Sequence, residues 1–312
     1  MEQMMIIKAS APGTLMLMGE HSVLKGELAI ACAVEQRIFV TLKPIEQREL
    51  QITSVLGDYQ DSLDSIKDNT ELRFALQAVR DVADQLPSGL SLVIESEFSH
   101  QVGLGSSAAV TVAITAAIDH WLRGAVDKQA VFERSLAAML SVQGRGSGTD
   151  IAASTYGALI AYRVEPVEIT PLACVPQIAL FYCGYKTPTP EVLARVESED
   201  RRFPELYGQL YRLMGKVTQQ AVVAARSQDW PLLGQLMNYY QGLMDSLGVN
   251  DRKLADIIYR LRESDGVYGA KISGSGLGDC VISLGELQQL DIPYEQIPVQ
   301  VDSDGVLVDV IG

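Results

Sequence analysis

The sequence predicts an α/β fold in two domains, on three observations. Short β-rich runs alternate with longer segments whose apolar residues recur at helical spacing. At 312 residues the chain is long enough for two cores, and Pro166, Pro171 and Pro176 crowd the stretch from Glu165 to Pro176 near its middle. A strand candidate, Leu90 to Ile94, leads into the turn Val102-Gly103-Leu104-Gly105-Ser106-Ser107-Ala108-Ala109 and then the apolar run Val110 to Ile118. Strand, glycine turn and helix is the order in which a helix N-terminus receives an anion.

The N-terminal half, residues 1–165, opens with a strand over Ile6 to Ser10 that Ala11-Pro12-Gly13 ends, and extended chain resumes over Leu15 to Met18. Ala29 to Leu42 reads as a helical turn or strand that passes into a β-rich run at Arg37 to Leu42, and Leu50 to Val55 as a strand. Leu72, Ala75, Leu76, Val79 and Val82 predict a helix over Glu71 to Leu86, which Pro87-Ser88-Gly89 stops. Lys128 to Val142 is a helix with Ala130, Val131, Leu136, Ala137 and Leu140 as its core face. Gly144 to Asp150 breaks it, Ile151 to Ser154 starts another helix, and Leu159 to Tyr162 is a strand. The C-terminal half, residues 166–312, has a strand at Ile178 to Cys183. Helices follow near Glu191 to Glu199, Pro204 to Ala225, Trp230 to Leu247 and Asp251 to Glu263. A glycine-rich turn precedes the strand Val281 to Leu284, and Val299 to Val301 and Val306 to Val310 close the sheet.

Composition excludes some functions. The 25 Lys and Arg against 39 Asp and Glu leave a net charge of −14, without the basic footprint of a nucleic-acid partner. No apolar run reaches a membrane span, and the N-terminus lacks the charged flank of an export signal. Cys32, Cys174, Cys183 and Cys280 stand in apolar surroundings without metal-ligand spacing, as reduced core residues of a cytoplasmic protein.

Candidate chemistry gathers in four stretches. Gly103 and Gly105 let the backbone bend and approach a ligand, and Ser106 and Ser107 can cap the helix and offer hydroxyls to phosphate or Mg²⁺. Asp150 follows three glycines at a helix start, where a carboxylate either complements the helix dipole or acts as a base toward a substrate hydroxyl. Glu20 and His21 form a polar pair in a loop, while His100 and His120 show no partner pattern. Gly274, Gly276 and Gly278, spaced two apart, allow a close backbone approach or a plain strand-edge turn.

In order, Pro12-Gly13 with Gly19-Glu20-His21, Gly103 to Ala109, and Ser273-Gly274-Ser275-Gly276-Leu277-Gly278-Asp279-Cys280 resemble the three motifs of the GHMP kinases. The resemblance spans nearly the whole chain. Gly19 to Gly26 with Ala29-Ile30-Ala31 is most similar to the mevalonate kinases of that family, whereas Gly146 to Ser154 and Asp279-Cys280 look closer to the phosphomevalonate kinases. The resemblance implies a ribosomal-S5-like N-terminal domain, a ferredoxin-like C-terminal domain and a cleft between them. It implies transfer of the ATP γ-phosphate, with Mg²⁺, to the primary hydroxyl of mevalonate, the alternative acceptor being 5-phosphomevalonate. An alternative of another class is a GHMP-fold binding or regulatory protein without turnover. Many members are dimers, which extends the expectation of a homodimer to this chain.

By the resemblance, Gly103, Leu104, Gly105, Ser106, Ser107 and Ala108 wrap the ATP phosphates, and Ser107 meets Mg²⁺. Asp150 is the catalytic carboxylate, Glu20 and His21 line the acceptor pocket, and Gly274, Ser275 and Gly276 support it. Two positions depart from the family. Thr14 stands where members carry a lysine thought to lower the pKa of the acceptor hydroxyl, and Met139 stands where mevalonate kinases commonly carry a Mg²⁺-binding glutamate. Arg145 and Lys25 are candidates for the missing positive charge, or are solvated surface charges.

Overall fold

The structure, a computed structural model, describes residues 5–98, 103–288 and 292–311. In chain order its elements are β1 (Ile6–Met18), β2 (Ala29–Ile45), β3 (Glu49–Ser54), β4 (Gly57–Ser62), α1 (Arg73–Arg80), β5 (Gly89–Ser96), α2 (Ser106–Arg123), α3 (Lys128–Gln143), α4 (Thr149–Tyr156), β6 (Leu159–Arg163) and β7 (Glu168–Pro171). There follow β8 (Ile178–Tyr182), α5 (Thr189–Arg202), α6 (Pro204–Arg226), α7 (Trp230–Ser246), α8 (Arg252–Arg262), β9 (Val267–Ser273), β10 (Cys280–Gly285), β11 (Glu295–Ile297) and β12 (Leu307–Ile311). His100 and Val102 lie outside the described residues.

One sheet runs in the order β12-β1-β2-β5-β3-β4, with β6 on the other end of β2 and β7 beside β6. A second sheet runs β11-β8-β10-β9. The alternation of strand side chains explains how the two halves meet. Ala29 and Ala31 of β2 pack with α2 and α4 in one apolar cluster, while Ile30, Cys32 and Val34 point to the opposite face and join the core of the second sheet and its helices. Both faces of this stretch are therefore buried, so its residues read as a continuous apolar run without a period of two. Ala29 to Leu42, left open between helical turn and strand, is extended throughout.

Several sequence expectations are corrected. Ala11-Pro12-Gly13 does not end the first strand; pairing with β2 continues through a register shift between Pro12 and Gly13, and a bulge is where a sheet accepts proline. The helix expected over Glu71 to Leu86 stops at Arg80, and the Arg48 guanidinium takes the carbonyls of Ala83 (3.1 Å) and Leu86 (3.0 Å) in the turn that follows. On α3 the buried face is Val131, Phe132, Ser135, Ala138 and Met139, with Ala137 and Leu140 exposed. Ser135 in the middle of that stripe disguised it. Val306 to Val310 does not close the second sheet: Leu307 to Ile311 pairs antiparallel with Ile6 to Ser10. The expected division at 165/166 falls between β6 and β7, which are neighbours in the first sheet.

Candidate active site

The turn before α2 is shaped by what its glycines avoid. Gly105 is the N-cap in the left-handed region (φ 64°), and a Cβ there would lie 2.1 Å from Thr14 Oγ1. At Gly103 a Cβ would lie 2.3 Å from an Asp279 carboxylate oxygen. Any side chain at either position would separate three segments that here touch: β1, the α2 turn and the loop after β9. The Thr14 N–H donates to Leu104 O at 3.0 Å, and the Gly103 N–H donates to Asp279 Oδ1 at 3.1 Å.

Ser106 and Ser107 do not cap α2, contrary to expectation. They are its first two residues, partly exposed, and no side chain caps the helix. The first-turn N–H groups therefore face outward with the positive end of the helix dipole, in the form an anion needs. The Leu104 and Ala108 side chains are buried in the core, so these residues can offer a ligand only backbone. Beside Ser106 and Ser107 opens a cavity of about 480 Å³ walled by Ile38, Leu72, Phe74, Ile94, Phe98 and Val110. Its size and apolar walls suit a flat aromatic group such as a nucleobase. It is assembled from β2, α1, β5 and α2, and no local motif announced it.

Asp150 stands in the first turn of α4, behind Gly148 in the left-handed region (φ 82°). Its carboxylate also reaches β1, where Thr14 Oγ1 donates to Asp150 Oδ1 at 3.1 Å. Burial pushes the carboxyl above the usual aspartate range, against the opposing effects of the Thr14 hydroxyl and the Lys186 charge. A carboxylate so placed is more basic than a solvated one and has a fixed direction.

Glu20 and His21 are both buried, and the second sheet holds them. His21 has a left-handed backbone (φ 60°), and its Nε2 lies 2.8 Å from Ser275 O. Since a carbonyl only accepts, Nε2 carries the proton and Nδ1 is a free acceptor. Burial lowers the His21 pKa, which keeps the ring neutral. Glu20 Oε1 accepts from Lys271 Nζ at 2.5 Å, and Tyr240 Oη donates to the Glu20 carbonyl at 2.9 Å. Burial pushes Glu20 up and Lys271 down, each toward its neutral form, and their mutual attraction opposes this. Glu20 Oε2 and His21 Nδ1 are buried without a hydrogen-bond partner. Two orphaned acceptors side by side in sequence are suited to hydroxyl donors on a polyol.

The C-terminal loop residues Gly274, Ser275 and Gly276 meet this pair through the Ser275 carbonyl, and Ser273 Oγ donates to Met16 O at 3.0 Å. Lys271 is the residue that sequence reasoning missed. A lone lysine between Ala270 and Ile272 in an apolar strand was its signal, since lysine is almost never fully buried unless paired. The two cations offered for the missing charge sit elsewhere: Arg145 pairs with Glu197 and Lys25 with Asp200, both on α5 and both at 2.8 Å.

Among the described residues no three His, Cys, Asp or Glu side chains gather to hold a metal ion. Met139 is buried under the Gly146 turn, where its thioether offers nothing to a hard cation. Among the described residues no helix is long and apolar enough to cross a membrane.

Comparison with known proteins agrees with these motifs. Residues 73–158 match the family model "GHMP kinases N terminal domain" and residues 221–295 match "GHMP kinases C terminal". The mevalonate kinase of Pyrococcus furiosus is 33% identical over 311 residues, covering 92% of each chain. Among solved structures, a Lin0012 protein from Listeria innocua superposes with a TM-score of 0.88 at 23% identity over 97% of this chain and 99% of that one. The L. major mevalonate kinase in complex with R-mevalonate superposes with a TM-score of 0.76 at 22% identity, covering 96% of each.

Proposed function

This chain belongs to the GHMP kinases, and from that premise we propose that it is a mevalonate kinase, transferring the γ-phosphate of ATP to the primary hydroxyl of mevalonate. The observation that carries the reading is the meeting at β1 of the anion-binding turn, the Asp150 carboxylate on Thr14, and the two unpartnered acceptors of Glu20 and His21. The identity with curated mevalonate kinases selects the acceptor.

The residues divide the work as follows. The first-turn N–H groups of α2 receive phosphate oxygens, and the apolar cavity beside Ser106 takes the base. Glu20 Oε2 and His21 Nδ1 accept hydrogen bonds from the polyol and orient it. Asp150 takes the proton of the attacking hydroxyl, with Thr14 fixing the direction of the carboxylate. Mg²⁺, when bound, neutralises phosphate charge; Ser107 is the residue that would hold it, together with the phosphate oxygens. Buried, unpaired cysteines fit a reducing compartment, and the chain acts in the cytoplasm.

A coupled ADP-release assay with mevalonate, 5-phosphomevalonate, homoserine and galactose in parallel tests this. Turnover is expected with mevalonate. Turnover confined to 5-phosphomevalonate would reassign the acceptor, and ATP binding without consumption on any of the four would leave a binding protein.

A further inference from the structure

Thr14 on β1 brings a hydroxyl and no charge to the Asp150 carboxylate, and phosphoryl transfer calls for a cation at the transferring group. We propose that Lys186, in the segment between β8 and α5, supplies that charge from the opposite side of the cleft. Its ammonium lies 2.9 Å from Asp279 Oδ2, and the other oxygen of the same carboxylate accepts the Gly103 N–H at 3.1 Å. One carboxylate thus ties the ammonium to the first N–H of the phosphate turn. Placement is enforced on both sides of Lys186: Asp279 N–H donates to Tyr185 O at 2.7 Å, and the Thr187 hydroxyl donates to Leu277 O at 2.5 Å.

The competing cations are otherwise committed. Lys271 is fully buried on Glu20, while Arg145 and Lys25 pair with α5. The Lys186 side chain remains 36% exposed, open to a ligand at the turn. Asp150 also lies within reach of its field, since the Lys186 charge draws that carboxyl down against burial.

The role rests on the phosphotransferase reading. As the acceptor oxygen bonds to the γ-phosphorus, the bond from that phosphorus to the β,γ-bridging oxygen breaks, and its electron pair leaves on ADP. The hydroxyl proton passes to Asp150. Lys186 exchanges no proton; it sets a full positive charge against the transferring group, which a threonine hydroxyl does not carry.

The test compares Lys186→Met and Lys186→Arg with the parent protein. Steady-state kcat and KM are measured for both substrates, ATP affinity by calorimetry without acceptor, and Tm as a control on folding. Lys186→Met should lower kcat about 100-fold and weaken ATP binding about three- to tenfold, with Tm nearly unchanged, and Lys186→Arg should recover kcat to within about tenfold of the parent. An active parent and a Lys186→Met variant with equal kcat would overturn the inference, as would an arginine that rescues nothing. A parent inactive on every acceptor would overturn the phosphotransferase reading instead. In that event the calorimetry decides on Lys186, and an unchanged ATP affinity rejects it.

Discussion

Two lysine–carboxylate pairs flank the glycine-rich loop after β9, and they differ in solvent. Lys271 and Glu20 are sealed, with side chains 0% and 2% exposed, whereas Lys186 and Asp279 are 36% and 14% exposed. Removing a charge from water costs several kcal/mol, so the sealed pair persists only while both partners are present. It therefore fastens β9 to the segment after β1 and holds Glu20 with one carboxylate oxygen unpartnered. The open pair bears a smaller desolvation cost and can exchange Asp279 for a phosphate. Similar chemistry gives a fastening in one place and an exchangeable cation in the other.

The largest effect should come from breaking the sealed pair. Lys271→Met leaves the Glu20 carboxylate buried and unpartnered, and should cost about 3–5 kcal/mol in urea unfolding. Adding Glu20→Leu should recover much of that loss, because the stranded charge is gone. A double variant no more stable than Lys271→Met would mean that packing of the lysine stem, and not the charge, fastens the sheet.

Asp150 stands between the two pairs, half-buried where Glu20 is sealed, and held by a hydroxyl where Glu20 has an ammonium. Asp150→Asn should lower kcat by about 10³-fold while ATP affinity stays within about threefold. The pH dependence follows in sign. Its folded-state pKa is raised, so the folded protein holds the proton more tightly than the unfolded chain in the window between the two pKa values, and stability falls as pH rises through that window. Activity moves the other way, rising as the base ionises. Asp150→Asn should abolish both trends and raise Tm at neutral pH, and a Tm that drops would show that the carboxylate is stabilised where it stands.

How much of this was legible in the sequence depends on whether the signal was local. The turn at Gly103 to Ser107, Asp150 behind its glycines and the Glu20-His21 pair are contiguous motifs, and β1, α2 and the loop after β9 bring them together. The apolar cavity draws on segments from Ile38 to Val110, and Lys271 finds Glu20 across 251 positions, so neither has a local pattern. Ala29 to Val34 read as helical turn or strand alike because both faces of that part of β2 are covered, which erases the alternation a half-buried strand would show. The return of β12 to β1 was invisible for a related reason: an edge strand with exposed Leu307, Val310 and Ile311 carries no mark of which sheet it joins.

The smallest effect sharpens the comparison most. Lys25 and Arg145 match Lys186 in ion-pair distance, at 2.8 Å each against 2.9 Å, and both are 44% exposed. Distance and exposure alone would rank the three alike. What separates them is the far side of the carboxylate: Asp279 also holds the Gly103 N–H, while Asp200 and Glu197 belong to α5. Exposed pairs of this kind contribute about 0–1 kcal/mol. Lys25→Ala and Arg145→Ala should therefore each leave kcat within about twofold of the parent and change the unfolding free energy by less than about 1 kcal/mol. Salt should weaken even that difference. Should either variant lose as much kcat as Lys186→Met, the positive charge for phosphoryl transfer would come from α5's side of the cleft, and a shared carboxylate would no longer identify the working cation.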